Sequence, residues 1–286
     1  MIPVLINNRD ILSSVQEQIH FFQRCPEARI ILIDNASTYH PLRQWYNSIC
    51  LSSRAFCHTY TSIVKEHWEF IDPNIRHVLV LPHDLFLFQE NLGPRGGTVV
   101  VPHLEGEFDY YFLSDADMDY SDIDPLTFLS DLQAGLERYP LIEGASASIR
   151  LDDIPETNMT RLIREYEGQN WDIKLDDEWW RGACDTAGVL RRVVPGWSGG
   201  YTGIRSVKHI ARHRPWYFIP ESQELPRCKI CGYTSEDQEM WWDHNLCKGT
   251  IPPGWRTPPD FQHFYAHANP SGTAYTSFIL DRGRNP

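Results

Sequence analysis

The sequence predicts an α/β protein: a mixed, mostly parallel sheet with helices on its faces. Three observations carry this expectation. Short apolar runs of strand length alternate with segments of helical periodicity. The loops between them are short and polar. The runs end in polar or acidic residues, which puts chemically useful side chains along one sheet edge.

The chain has 286 residues, 42% hydrophobic and 13% aromatic, enough for one large domain or two small ones. A formal net charge of −12 argues against nucleic-acid binding. It also means that an anionic ligand needs a cation or a local basic patch. Seven cysteines, an odd number, do not make a disulfide framework at this length. No run approaches the about 20 apolar residues of a membrane span, and the N-terminus carries no signal-peptide pattern. The expectation is a soluble, cytoplasmic protein whose only membrane contact is peripheral.

Taken in order, Val4-Leu5-Ile6 is the first strand and runs into Asn7-Asn8-Arg9-Asp10. Ile11, Val15, Ile19 and Phe22 share a helical face, with Asp10 as N-cap and Pro26 beyond the end. Arg29–Ile33 is a second strand, ending in Asp34-Asn35-Ala36-Ser37, and Leu42, Trp45, Tyr46 and Ile49 form another helical face. Residues 51–75 read as an insertion, and His77–Leu81 as a third strand. Asn91-Leu92-Gly93-Pro94-Arg95-Gly96-Gly97 is either an ordinary Gly-Pro turn or a loop whose backbone N–H groups approach a ligand, with Arg95 on a phosphate. Asp124-Pro125 opens a helix with Leu126, Leu129, Leu132 and Leu136 on one face, and Pro140 stops it. Gly144–Leu151 alternates weakly, as a strand does; Met159, Leu162, Ile163 and Tyr166 suggest a short helix; Gly188–Val193 is a late strand. Trp171, Trp179 and Trp180 fall in an acidic, loop-like region, as a sugar-stacking platform or as plain packing. Arg205–Arg214 is the one basic run, either a solvated helix face or a partner for a diphosphate. Beyond about residue 249 proline, glycine and polar residues dominate, as in a tail wrapping the surface.

The sharpest chemical signal is Tyr110-Tyr111-Phe112-Leu113-Ser114-Asp115-Ala116-Asp117-Met118-Asp119. A buried strand delivers a cluster of carboxylates to its C-terminal end, where open α/β sheets bind ligands. On an extended chain Asp115 and Asp117 share a face. Two hard oxygen donors there hold Mg²⁺ or Mn²⁺ and leave positions for a phosphate. The competing reading is an exposed acidic turn.

The segments together resemble the family 2-like glycosyltransferases of GT-A fold, particularly a bacterial and viral branch. The resemblance lies in the Asn8-Arg9 loop, Leu32–Ser37, Asn91–Arg95, Ser114–Asp117, Ser148–Pro155, Asp185-Thr186-Ala187 and Ala211–Tyr217, in family order over roughly residues 1–245. It implies one GT-A domain over 1–250, with a donor-binding half (about 1–120), an acceptor half (about 121–250), and a tail over 251–286. It further implies a nucleotide-sugar donor, with a UDP-sugar favoured as the commonest kind. Asn8, Arg9, Asp34 and Asn35 would contact base and ribose, Asn91 and Arg95 line the nucleotide pocket, and Arg212 meet the diphosphate. Asp115 and Ala116 would lie beside ribose or sugar, and Asp117 would ligate the Mn²⁺ or Mg²⁺ that bridges the phosphates. Asp237, with Glu236 as substitute, would be the general base that deprotonates a carbohydrate or other hydroxyl acceptor, inverting the anomeric centre. A non-catalytic nucleotide- or sugar-binding module and a nucleotidyltransferase are the rival readings.

One segment departs from the family. Cys228 and Cys231 form a CxxC knuckle, and His244 and Cys247 follow at a spacing that Cys₃His zinc sites tolerate. Structural zinc, free thiols and a local disulfide are the alternatives. His244, His263 and His267 also compete as a third protein ligand of the catalytic metal.

Overall fold

The computed structural model describes residues 1–52, 75–80, 83–88, 97, 100–104, 107–154, 160–184, 188–193, 202–217 and 260. The strands in chain order are β1 (Ile2–Asn8), β2 (Ala28–Asp34), β3 (Ile75–Val80), β4 (His83–Phe88), β5 (Tyr110–Asp115), β6 (Met118–Asp119), β7 (Gly144–Ile149), β8 (Ile173–Lys174), β9 (Trp179–Ala183), β10 (Val189–Arg192) and β11 (Thr202–His213). The helices are α1 (Ser13–Phe22), α2 (His40–Ser52), α3 (Phe128–Arg138) and α4 (Thr160–Gly168). Among the described residues the sheet order is β3-β4-β2-β1-β5-β10-β7-β11-β9-β8, and β6 pairs with β11 beside it. β4, β2, β1 and β5 are parallel. β10 is antiparallel to both β5 and β7. β7, and β11 parallel to it, therefore point the same way as β5. The fold is α/β with a mixed sheet.

Two cores sandwich the first strands. Alternation along β1 and β5 sends Val4, Ile6 and Phe112 to one face and Leu5 and Leu113 to the other. On the first face Phe21 and Phe22 of α1 meet Phe112, Tyr120 and Phe128, with ring centroids 5.1–6.5 Å apart. On the second, Leu5, Ile31, Ile33, Phe86 and Tyr111 pack with Val100 and with Val101 and Leu104 of the short 3₁₀ turn that follows it. β7 is Gly-Ala-Ser-Ala-Ser-Ile, and every residue of it is buried. A strand covered on both faces has no reason to alternate.

Several local expectations are corrected. The strand beside β2 is β4; β3 is its antiparallel hairpin partner at the sheet edge. Leu12, not Asp10, holds the N-cap position of α1. α3 starts at Phe128, so Leu126 lies before it and is exposed, while Asp124 accepts from the Leu126 N–H in a turn. Trp45 is only half-buried and Tyr166 is exposed. Trp179 and Trp180 belong to strand β9 rather than a loop; Trp179 is buried, and its ring is packed on the Gly135 backbone of α3. The basic run is not a helix face: through His213 it is β11, an extended strand.

The chain divides into two compact units, Met1–Arg150 with Gln169–His213, and Leu151–Gly168 with Arg214–Pro286. The whole sheet belongs to the first unit, and the expected boundary near residue 120 falls inside it. In the second, Arg164 of α4 donates to the Leu151 carbonyl at 3.3 Å and the Tyr217 hydroxyl donates to Asp153. Among the described residues no helix is long and apolar enough to cross a membrane.

Candidate functional site

After β1 the chain winds one way, to β2 and β4; β5 lies on the other side of β1. The carboxyl ends of β1 and β5 are thus a topological switch point, where loops diverge and open a crevice. Asn7 of β1 stands opposite Asp115 of β5. The Ala116 N–H donates to the Asn7 carbonyl at 3.1 Å, extending the pairing one residue further. Gly97, the last residue of the glycine-rich segment, is buried against Leu113 and Asn7. A Cβ there would lie 2.3 Å from Leu113 Cδ1 and 3.5 Å from Asn7 Cβ, so a larger residue would need the Leu113 side chain to move.

The acidic stretch is not extended throughout. β5 ends at Asp115, the chain reverses at Ala116-Asp117, and β6 begins at Met118. The same-face inference for Asp115 and Asp117 therefore does not apply. The turn is held from below by α1. Gln18 Nε2 donates to the carbonyls of Asp115 (2.8 Å) and Met118 (2.9 Å). Gln18 Oε1 accepts from Ser114 Oγ at 3.0 Å. Ser114 has one proton to give, so Tyr120, whose hydroxyl lies 2.7 Å from it, is the donor of that pair. Burial among aromatic rings raises the Tyr120 pKa, which keeps that donor protonated.

β6 delivers the turn to β11. Asp119 pairs with Arg212 and Met118 with His213. His213 Nε2 then lies 3.1 Å from Asp117 Oδ2. A carboxylate oxygen only accepts, so Nε2 carries the proton. Arg212 and Arg150 both reach Asp122 Oδ2, at 2.6 and 3.3 Å. Arg212 thus comes to the edge already paired.

The loops after β1 and β2 are tied into one buried polar unit. Asn8 Nδ2 donates to the Tyr46 hydroxyl at 2.9 Å, and the Asn35 N–H donates to the Asn8 carbonyl at 2.8 Å. The Asp10 carboxylate accepts from the N–H groups of Thr38 and Tyr39, just ahead of α2, and its own N–H donates to Ser37 Oγ at 2.8 Å. Asp10 thus serves the approach to α2. Asp10 and Ala36 have φ of 61° and 57°; left-handed backbone is tolerable for Asp but strained for Ala. Asp34 accepts from the Ser37 N–H at 3.1 Å. Burial pushes the Asp34 carboxyl up to about 6, with hydrogen bonding from Ser37 opposing and the nearby Asp10 carboxylate adding to the rise. Arg9 Nε lies 3.8 Å from Asp10 Oδ2.

Of the expected site residues, Asn8, Arg9, Asp34, Asn35, Asp115, Ala116, Asp117 and Arg212 lie on the C-terminal edge of the parallel strands or in the loops that follow it. Asn91, Arg95, Glu236, Asp237, Cys228, Cys231, His244, Cys247, His263 and His267 lie outside the described residues. The residue the sequence did not single out is His213; only its place at the end of the basic run pointed to it. Gln18 was legible as a polar residue between Val15 and Phe22 on an otherwise apolar stripe.

Among the described residues no group of three or more His, Cys, Asp or Glu side chains is arranged to hold a metal ion. The donor set nevertheless suits Mg²⁺ or Mn²⁺, which are commonly held by one or two carboxylates plus substrate phosphates. Asp117 Oδ1 is buried and accepts no hydrogen bond from the described residues; the same is true of Asn7 Oδ1. Buried oxygens in that condition take a cation, a ligand donor or an ordered water. No protein-family model matches the chain, and no curated protein matches it in sequence.

Proposed function

We propose that this protein is a metal-dependent glycosyltransferase of GT-A type, which moves a sugar from a nucleotide-sugar donor, by expectation a UDP-sugar, to an acceptor hydroxyl with inversion. The observation that carries the reading is the convergence at the β1/β5 switch point. Asn7, Asn8, Asp34 and the Asp115–Asp117 turn share that edge, β11 brings His213 to Asp117 from far along the chain, and among the described residues no donor reaches the buried Asp117 Oδ1.

Each part has a chemical task in this reading. The polar loops after β1 and β2 present Asn8, Asp34 and Asn35 to base and ribose. Asp115 and Asp117 hold the cation, which when bound offsets the charge of the leaving nucleoside diphosphate. His213 orients the Asp117 carboxylate through its Nε2–H. Arg212, held by Asp122, adds positive charge to an edge that is otherwise acidic. Asp237, or Glu236 in its place, accepts the proton of the acceptor hydroxyl. The acceptor oxygen forms its bond to the anomeric carbon as the bond to the diphosphate breaks on the opposite side.

Calorimetric titration with UDP tests the donor half. Affinity is expected to appear with Mn²⁺ or Mg²⁺, to vanish in EDTA, and to be lost in Asp117→Ala while the fold is kept. Equal affinity with and without metal would remove the cation from the reading. Slow metal-dependent release of nucleotide from one member of a nucleotide-sugar panel marks a transferase, whereas tight binding without turnover marks the rival binding module.

A further inference from the structure

β11 does not run straight. It pairs with β7 in parallel up to Ser206 opposite Ala147, and pairing resumes with Ile210 opposite Ser148. Val207, Lys208 and His209 have no counterparts, so β11 carries a three-residue bulge. Three is odd, and side chains alternate with period two. Without the bulge, His209 would stand where Arg212 faces Asp119, and Ile210 where His213 faces Met118. The bulge therefore decides which residues β11 presents to the acidic turn, the kind of re-aiming that bulges beside functional sites perform.

Something must hold three extra residues in one conformation. Ser206 Oγ accepts from the N–H groups of Lys208 (3.2 Å) and His209 (3.1 Å), and its carbonyl accepts from Ser148 Oγ at 2.7 Å. The Val207 N–H donates to the Glu178 carbonyl at 2.9 Å. The outer anchor is Asp131, in the first turn of α3. Its Oδ2 accepts from Lys208 Nζ at 2.7 Å and from His209 Nε2 at 2.8 Å. Lys208 also donates to Thr127 Oγ1 at 3.0 Å. The His209 ring is buried, edge-on to Phe128 at 5.3 Å. Its Nε2 therefore depends on Asp131 for a partner.

We infer that Asp131, through His209 and Lys208, is a positioning residue that fixes the β11 bulge and so sets Arg212 opposite Asp119 and brings the His213 ring onto Asp117 of the turn. Asp131 itself touches neither the turn nor either of these two side chains. The consequence for a ligand rests on the function proposed above; the register of β11 does not.

Amide hydrogen exchange of the full chain separates the two. In Asp131→Ala, exchange at Met118, Asp119, Arg212 and His213 should accelerate about ten-fold or more, the scale of one lost charge-assisted hydrogen bond. Gly203–Ser206, paired ahead of the bulge, should be unchanged. Asp131→Asn keeps an acceptor oxygen and should restore most of the protection, which also serves if the alanine variant folds poorly. UDP affinity with Mn²⁺ should fall in step with the loss of protection at Arg212 and His213. Acceleration spread evenly over the sheet, or protection unchanged beyond the bulge, would overturn the inference. If the unmodified protein binds no UDP, the proposed function fails while the exchange pattern still decides the role of Asp131.

Discussion

Asp34 shows what a single side chain reveals about this edge. Its carboxyl is buried and its pKa is pushed up from 3.8 to about 6. The folded chain therefore holds a proton that the unfolded chain has lost across that interval. By linkage, the contribution of this group to stability falls as pH rises from about 4 to about 6, and the full cost of the buried charge stands above that range. Between about pH 4.5 and pH 7.5 the difference amounts to about 2 kcal/mol. Asp34→Asn should remove this dependence. Urea unfolding of both proteins at the two pH values should therefore show the variant gaining about 2 kcal/mol on the parent at the higher pH. A difference that does not vary with pH would mean that Asp34 ionises as it does in the unfolded chain. The sequence marked Asp34 as a strand-end carboxylate; it could not show the burial, because Tyr46 and Asp10 reach it only through the fold.

Elements explain how a two-residue reversal becomes a rigid carboxylate display. The Asp115–Met118 turn offers two carbonyls, and one Gln18 side chain of α1 donates to both, with longer contacts from Ser114 Oγ to Asp115 (3.2 Å) and from Ser14 Oγ to Met118 (3.4 Å). Gln18→Leu keeps the volume and removes the donors. Losing these two donations should cost about 1–3 kcal/mol, measured by chemical denaturation, and should weaken metal-dependent UDP binding. A loss under about 0.5 kcal/mol would show that the turn is held by other means. At this scale much was readable. Periodicity marked β1, α1, β2, α2, β5 and β10, because each buries a continuous apolar face. β4 was missed because it follows β3 after only Leu81-Pro82, and the expected strand ended at Leu81 with nothing assigned to His83–Phe88. The basic run was ambiguous because three of its four buried members, Arg205, Ser206 and His209, are polar. Alternation cannot be recognised when the inward-facing residues are polar and a bulge reverses their parity.

At the scale of the whole molecule, the sheet gathers residues that the sequence keeps far apart. Asp117 and His213 are 96 positions apart, and only the pairing of β6 with β11 joins them. No local pattern encodes such a meeting, so the candidate edge was legible as separate strand ends but not as an assembled site. The cysteines are also a matter for the whole chain. Of the seven, Cys25 and Cys184 are buried free thiols, and burial, with a smaller contribution from Glu27, pushes Cys25 up to about 12. Neither should react with a thiol reagent near neutral pH, since the thiolate is the nucleophile. With Cys50 and Cys57 replaced by serine, this silent background makes Cys228, Cys231 and Cys247 readable by titration. If they bind zinc with His244, native protein purified without added metal should carry about one equivalent, and those three thiols should react only after chelation. Chelation should also loosen the second unit, because a closed structural zinc site contributes folding free energy directly. Three thiols that react at once in metal-free protein would establish free cysteines. Two that appear only after a reductant would establish a Cys228–Cys231 disulfide. Zinc content measured beside the thiol count distinguishes all three outcomes, and only the first is compatible with a metal-stapled second unit.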